Sequence, residues 1–481
     1  MKHILVKVCL FDQVVDPIFL LNNEDITLKL KTSSLLIAGA LFGAAVMPAH
    51  ANNEAMMDLL KVLRDQGTIT AENFELLASA AKADKEVVED VVNKVNSAAK
   101  TMPKITTKGK IQIESADGQY TFRPIGRVMW DYIDTDEDGS GQNDFRGTEL
   151  RRLRLGFAGK VKDWGYKFEG EFNGGETSVK DAWINYSSRF GADKNRLGVK
   201  LGQSHIQYGL NTKMSSKYMT FIDRPLFTDS AVSPARESGV IVTTAADDYR
   251  WMLSSGLTFG QHGNGGSNDD QVNRDVQGDT ISVRGSFVPL MQDKQHMLQV
   301  GAGYLNLSGA EKYSFSQRII SHEDATKHLS GGLASGDLDS TNAFTTDVFG
   351  VYGPLHTIAE YNTYTMDSKN NDDVEVDSYS VEVGYWLTGE SMKWSKGYTS
   401  GITPKSSLGA WQVAARFEST EIEGDVNGTD EADKFTIGLK YYPTSNISFL
   451  LNYDTVTDLT VDGSSVGYEP SALKFRANAY W

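Results

Sequence analysis

Short segments in which apolar and polar residues alternate constrain the fold of this chain more than any other feature. In residues 152–157, Leu, Leu and Phe alternate with Arg, Arg and Gly. The same period of two recurs at 164–168, 182–186, 197–201, 281–287, 381–385, 411–417, 435–441 and 447–453. Each segment belongs to a stretch of about ten residues bounded by polar turns, which is the pattern of strands that face lipid on one side and a polar lumen on the other.

The lack of long apolar runs sharpens this prediction. After residue 51, no run of about 18 apolar residues occurs that could form a membrane-spanning helix. A membrane protein without such helices has to close its strands into a barrel, because every backbone group in lipid needs a partner within the protein. The sequence therefore predicts an all-β fold, a transmembrane antiparallel β-barrel with a short N-terminal periplasmic α-helical segment.

The last segment favours the barrel over a soluble β-sandwich, whose strands would also alternate. One face of this strand carries Leu473, Phe475, Ala477, Ala479 and Trp481, and the other carries Lys474, Arg476, Asn478 and Tyr480. A terminal strand that ends on an aromatic residue is typical of porins. We therefore expect this strand to close the barrel, and we expect the protein in the outer membrane of a Gram-negative bacterium, in contact with its lipid.

An export signal precedes the strands. Lys29 and Lys31 come before the apolar run 35–42, and Ala49-His50-Ala51 ends it. A charged head, a short apolar core and an A-x-A exit form a secretory signal peptide, with cleavage expected after Ala51. A buried helix is the alternative interpretation of this run.

Residues that follow the signal repeat at helical spacing. Val87, Val88, Val91, Val92 and Val95 form a narrow apolar stripe. A helix with such a stripe is not stable alone, and its natural partner is a copy of itself in an oligomer. A helical plug inside the barrel, or a tether to a periplasmic partner, is the alternative.

The sequence thus predicts four regions in order. They are residues 1–27, an acidic stretch interpreted as a misannotated start before translation at Leu28; residues 28–51, the signal peptide; residues 52–103, the periplasmic helical or coiled-coil segment; and residues 104–481, the outer-membrane barrel.

Charge and motif spacing exclude several classes of function. The formal net charge of -16 argues against nucleic acid as a partner. Any preference for anions must therefore come from local placement of Arg and Lys in a pore. The eight His have no metal-binding spacing, and Gly463-Ser464-Ser465-Val466-Gly467 lies in a turn before the last strand, where no nucleophile elbow forms. We expect no enzyme, no cofactor and no metal site.

Several segments carry a resemblance to a known family. They are Gly126-Arg127-Val128, Leu150–Gly159, Asp163–Lys167, Lys180–Ile184, Leu201–Gln203, Tyr208–Leu210, Lys213–Arg224, Trp386–Glu390, Gly409–Trp411 and Gly438–Tyr442. In order and spacing they resemble the phosphate-selective porin O and P family, and together they span nearly all of residues 104–481.

The resemblance implies a sixteen-stranded barrel that forms a homotrimer, with a constriction loop at 207–238 folded into each pore. It also implies small anions, phosphate among them, as the solutes. The anion-binding positions that it carries over are Arg127, Arg151, Arg152, Arg154 and Arg284 on the pore wall, and Lys213, Lys217 and Arg224 on the constriction loop. A guanidinium group suits this task because it stays charged and offers a planar fork to an oxyanion.

Other features keep a general diffusion porin open as the alternative. Each arginine could be a lumen charge that pairs with a nearby acid such as Glu149, Glu169 or Glu171. The segment 279–282 lacks a further arginine that the family carries, and the stretch 369–376 is acidic where the family's mouth lysines fall.

Overall fold

The computed structural model describes residues 49–107, 109–137, 139, 144–175, 177–228, 235–259, 272–274, 278–310, 313–322, 327–425 and 428–481. The expected misannotated start and most of the expected signal peptide lie outside these residues. The chain divides into two compact units, Met1–Met102 and Pro103–Trp481.

In the described part of the first unit, the chain forms two helices, α1 at Ala49–Asp65 and α2 at Ala71–Thr101. Thr70 caps α2, because its side chain accepts a hydrogen bond from the backbone N–H of Asn73. Leu60 of α1 and Ala81 of α2 are buried. Further along α2, the valines of the apolar stripe at 87, 91 and 95 remain exposed. None of the helices in the described part of the chain is both long and apolar enough to cross a membrane.

Sixteen strands of the second unit form the barrel, numbered β1 to β16 along the chain. They are β1 Tyr120–Asp136, β2 Arg146–Val161, β3 Trp164–Glu171, β4 Ser178–Phe190, β5 Asn195–His205, β6 Arg236–Ala245, β7 Trp251–Phe259, β8 Asp279–Asp293, β9 His296–Ser308, β10 Leu338–Tyr352, β11 Leu355–Ser368, β12 Val374–Trp386, β13 Ala410–Asp425, β14 Gly428–Thr444, β15 Ile447–Val461 and β16 Ser471–Tyr480.

Each barrel strand pairs antiparallel with the next, and β16 closes the ring by pairing with β1, from Ser471 opposite Asp136 to Tyr480 opposite Arg127. The predicted antiparallel β-barrel is confirmed. Two short strands, Lys104–Thr106 and Gln112–Glu114, extend the sheet beside the start of β1, and Ser464–Ser465 pairs with the end of β15.

Alternation of side chains places the polar residues inside. In β16, Leu473 is 43% exposed whereas Lys474 is 1% exposed, as the sequence pattern predicts. Across the barrel, the exposed large residues on the outer face are mostly aliphatic and aromatic, which is the surface that lipid requires. Many charged side chains of the strands are buried on the inner face instead, such as those of Arg154, Arg284 and Lys474.

Among the residues that the structure describes, three segments fold into the lumen. The inner loop (residues 206–228) follows β5 and contains a short helix, α3, at Leu210–Lys213. The second loop (residues 313–322 and 327–333) lies between β9 and β10; its strands Tyr313–Gln317 and Leu329–Gly332 form a small sheet with Val272–Arg274. The lumen hairpin, Lys393–Ser395 with Tyr398–Ser400, lies between β12 and β13.

Apolar side chains hold these segments in place. Phe227 of the inner loop contacts Phe315 of the second loop with ring centroids 5.3 Å apart, inside a buried apolar cluster. Trp394 of the lumen hairpin donates a hydrogen bond of 2.8 Å to Gln299 of β9. Residues 229–234 of the expected constriction loop lie outside the described residues, and β6 starts at Arg236, before the expected end of that loop.

Candidate functional site

A β-bulge in β2 brings two adjacent arginines to the lumen. Met129 of β1 lies opposite Arg152 and Asp131 lies opposite Glu149, so β2 has two residues where β1 has one. In a regular strand, neighbouring side chains point to opposite faces, and an extra residue resets that alternation. Arg151 and Arg152 consequently line the same cavity.

This cavity, of about 90 Å³, is enclosed by β2, the inner loop and the second loop. Its described lining includes five arginines and one lysine, Arg151, Arg152, Arg224, Arg318, Arg476 and Lys434, against a single carboxylate, that of Asp223. The carboxylate is itself engaged, because Lys474 lies 2.7 Å from it. Lys434 and Arg476 are paired with Glu418 and Asp131, which lie outside this lining, so the lining itself carries more cationic than anionic groups.

Arg151 and Arg152 of β2 each lie near a carboxylate and are partly exposed in the lumen. The Nε atom of Arg151 lies 3.9 Å from Glu149, and its side chain is 30% exposed. The Nη1 atom of Arg152 lies 3.7 Å from Glu171, and its side chain is 16% exposed. The separation between Arg152 and Glu171 exceeds the usual range for a hydrogen bond, so the guanidinium group of Arg152 retains capacity to bind an oxyanion.

The other two wall arginines near this cavity have tight partners. Arg127 donates to the hydroxyl of Ser216 at 2.8 Å and to the carboxylate of Glu169 at 3.1 Å. Arg154 donates through Nε and Nη2 to one oxygen of Glu171, at 2.9 and 2.7 Å. The pairing with acids that the sequence left open is therefore present at both positions.

Two predicted residues of the inner loop bind the loop itself. Arg224 donates to the backbone carbonyls of Asn211 at 2.8 Å and Met214 at 2.7 Å, so it fixes the curve of the loop. Lys213 donates to the side chain of Gln207. The described lining of the cavity includes Arg224 but not Lys213, so only Arg224 of this predicted pair lines the cavity.

Lys217 lies beside aromatic rings. Its ammonium nitrogen is 5.1 Å from the ring centroid of Tyr480 and 5.6 Å from that of Tyr218. Burial and the neighbouring charge of Arg127 lower the pKa of Lys217 to about 8. Both contacts lie within the range of a cation–π interaction.

Arg284 was expected on the pore wall, and the structure places it behind the inner loop instead. Its side chain is 0% exposed and lies 2.6 Å from Asp347. It also donates to the backbone carbonyl of Tyr208 at 3.2 Å. Because Asp347 compensates its charge and the loop covers it, Arg284 anchors the loop rather than lining open space.

Sequence reasoning assigned no role to a set of lumen cations that hold the inserted loops. Each donates to a backbone carbonyl: Arg416 to Asp223 at 2.9 Å, Lys434 to Ile319 at 2.7 Å, Lys440 to Met219 at 2.5 Å, Lys474 to Ile320 at 2.9 Å and Arg476 to Ile222 at 2.7 Å. The signal was present in the sequence, because each of these residues occupies a polar position in an alternating strand.

His322 joins the second loop to the inner loop and to the wall. Its Nδ1 atom lies 2.8 Å from Asp223, and its Nε2 atom contacts Glu149 and lies 3.4 Å from Asp131. Burial alone would lower the pKa of His322, but the carboxylates of Asp223 and Asp131 raise it to about 9. Asp131 also accepts two hydrogen bonds from Arg476, so this group is a junction of ion pairs.

Comparisons with known proteins agree with this architecture. Residues 122–477 match the model of the family described as phosphate-selective porin O and P. Porin O of Pseudomonas aeruginosa is 23% identical over 409 residues, which cover 76% of this chain and 90% of that relative. An uncharacterized protein of Caulobacter vibrioides is 24% identical over 370 residues, which cover 73% of this chain and 71% of that relative.

Among solved structures, the fold is similar to that of an anion-selective porin from Comamonas acidovorans. The TM-score is 0.51 at 13% identity, and the match covers 75% of this chain and all of the other. At this identity, the likeness concerns the fold.

Proposed function

We propose, from the premise that this chain belongs to the phosphate-selective porin O and P family, that its channel conducts small anions, phosphate among them. As a member of that family it is an outer-membrane porin, a barrel through which small solutes pass. We assign it transport and no catalytic role.

The cationic cavity carries this proposal. Five arginines and a lysine line it against one described carboxylate; Lys434 and Arg476 are paired with acids outside the lining, whereas Arg151 and Arg152 are partly exposed in it. In a narrow, poorly hydrated passage each charge acts more strongly than it does in bulk water. Selectivity is therefore set where the passage is narrowest. A cationic site in such a place attracts anions and repels cations.

Within this site we assign direct contact with the anion to Arg151 and Arg152, because both line the cavity and their side chains are 30% and 16% exposed, with support from Ser216 of the inner loop. Arg127, Arg154, Lys213, Arg224 and Arg284 position the wall and the loop, because each is held by a carboxylate, an amide or a backbone carbonyl. Several moderate contacts suit conduction better than one tight site, since the ion has to leave again.

A charge reversal at the two contact arginines tests the proposal. We expect the wild-type channel to prefer anions, and R151E/R152E to prefer cations, in zero-current potentials measured across a tenfold salt gradient with chloride and with phosphate. The matched control is K162E/K194E, which makes the same charge change at Lys162 and Lys194 in exposed turns.

This experiment tests anion conduction and the assignment of Arg151 and Arg152 separately. A wild type that prefers cations, or neither ion, would favour the general diffusion porin, whose lumen charges balance. A wild type that prefers anions together with an unchanged R151E/R152E channel would retain anion conduction and reject the assignment of Arg151 and Arg152.

We also propose that the protein is a homotrimer in which α2 of each copy contributes to assembly. The exposed valine stripe at 87, 91 and 95 supports this, because a heptad-like stripe buries well only against another helix. V87S/V91S/V95S should lower the temperature at which the trimer dissociates in mild detergent and leave the barrel folded. Unchanged dissociation would favour a plug or a tether.

A further inference from the structure

One carboxylate in the lumen gathers three cations. The Oε2 atom of Glu171 accepts both hydrogen bonds from Arg154, and it lies 3.7 Å from Arg152 and 3.7 Å from Lys180. The side chain of Glu171 is 5% exposed. Its second oxygen, Oε1, is buried and has no hydrogen-bond partner among the described residues.

The three contacts of Glu171 are not equivalent. Arg154 is almost fully buried and is held by two short bonds. Arg152 stands too far away for a hydrogen bond, yet its guanidinium also lines the cationic cavity. Arg152 can therefore interact with either of two negative groups, the carboxylate of Glu171 or an anion in the cavity.

We infer that Glu171 is a specificity-determining residue that weakens the hold of the channel on oxyanions by competing with them for Arg152. This inference rests on the proposed anion conduction. A carboxylate beside an anion site lowers the attraction of that site for anions. A site that binds less tightly releases its ion faster, which conduction requires.

The first test replaces the carboxylate by an amide. In E171Q the competitor is gone and Arg152 is available to the anion, so inorganic phosphate should block the chloride current at lower concentration. We expect the half-blocking concentration to fall about threefold to tenfold, the scale of one net hydrogen bond. E86Q, which makes the same change at an exposed position of the helical unit, should leave it unchanged.

E171Q alone leaves Arg154 buried without its main partner, which can impair folding. R154Q/E171Q removes both members of that pair and preserves the net charge of the lumen. Competition for Arg152 predicts that phosphate blocks this double variant more tightly than it blocks the wild type. A simple effect of net charge predicts the same block as in the wild type, so that result would overturn the inference.

A third variant locates the effect. In R152Q/E171Q the added block should be lost, because no guanidinium remains to be released. If R152Q/E171Q kept the tighter block, or if neither E171Q nor R154Q/E171Q differed from the wild type, Glu171 would not act through Arg152. A wild type without anion preference would reject the proposed function. The role of Glu171 would be decided separately, by whether phosphate blocks R154Q/E171Q more tightly than it blocks the wild type.

Discussion

The lumen has two walls whose cations are held in different ways. The open wall carries Arg151, Arg152, Lys167, Lys180 and Arg236, whose charges face carboxylates such as Glu171 and Asp181. The loop wall carries Arg284, Arg416, Lys434, Lys474 and Arg476, and each of these donates to a backbone carbonyl of an inserted loop. The open-wall side chains are 14–30% exposed, and those of the loop wall are 0–4% exposed.

This difference shows that an inward-facing cation is not by itself an anion site. A buried guanidinium or ammonium group needs hydrogen-bond acceptors and opposite charge, and on the loop wall the loop carbonyls supply part of this need together with carboxylates such as Asp347 and Asp131. Those cations consequently hold the inserted loops in place. The cations of the open wall keep part of their hydrogen-bonding capacity for the solvent and for a passing ion.

The largest expected effect is on folding, at Arg476 of the loop wall. Arg476 forms hydrogen bonds of 2.7 and 2.6 Å with Asp131 and donates to the carbonyl of Ile222. R476Q leaves the buried carboxylate of Asp131 without its main partner, so we expect a loss of about 3–5 kcal/mol in the free energy of unfolding. Urea titration of the refolded barrel, followed by tryptophan fluorescence, measures this loss.

Two further variants serve as controls for the loss measured in R476Q. R151Q, on the open wall, should cost about 1 kcal/mol or less because the side chain of Arg151 is 30% exposed, and ion pairs in contact with water contribute little to stability. D131N/R476Q should be less destabilised than R476Q because no charge is left unpaired. Equal losses for R476Q and R151Q would remove the distinction between the two walls.

A smaller effect on the free energy of unfolding is expected from a change of pH, through His322 at the junction of the two walls. The carboxylates of Asp223 and Asp131 raise the pKa of His322 to about 9, above the ordinary value of about 6.5. A raised pKa stabilises the fold fully below the ordinary value, and this contribution disappears as the pH rises through 9. We expect the stability advantage of wild type over H322Q to shrink by about 2–3 kcal/mol between pH 7 and 10. A constant difference over that range would show that His322 is not charged in the folded protein.

The strands and their inward faces could be predicted from the sequence because alternation is local. In β16, Lys474 and Arg476 point inward as predicted. The joint presence of Arg151 and Arg152 in one cavity depends on the bulge opposite β1, which strict alternation does not reveal. The role of Arg284 depends on Asp347, a residue of another strand, so no local pattern distinguishes an anchor from a pore-lining residue.

The inserted segments also could not be predicted from local sequence patterns. The resemblance implied one loop in the lumen, whereas the second loop and the lumen hairpin also enter it. They are held by distant partners, as in the contact of Phe227 with Phe315 and the hydrogen bond from Trp394 to Gln299. Such contacts join residues that are far apart in the sequence, so no local pattern reveals them.

The smallest expected effect concerns Arg151 alone, and it tests whether the open wall works as a group. In R151A, Arg152 still lines the cavity with the cations of the inserted loops, so we expect only a modest loss of chloride conductance, on the order of twofold or less. Because the side chain is 30% exposed, salt should screen part of its influence, and the loss should be larger at 0.1 M than at 1 M salt, where the screening length falls from about 10 to about 3 Å. Single-channel conductance at both concentrations, with R196A at Arg196 near an exposed turn as the control, measures the difference. A loss of anion preference in R151A as complete as that expected for R151E/R152E would instead assign the selectivity to one residue.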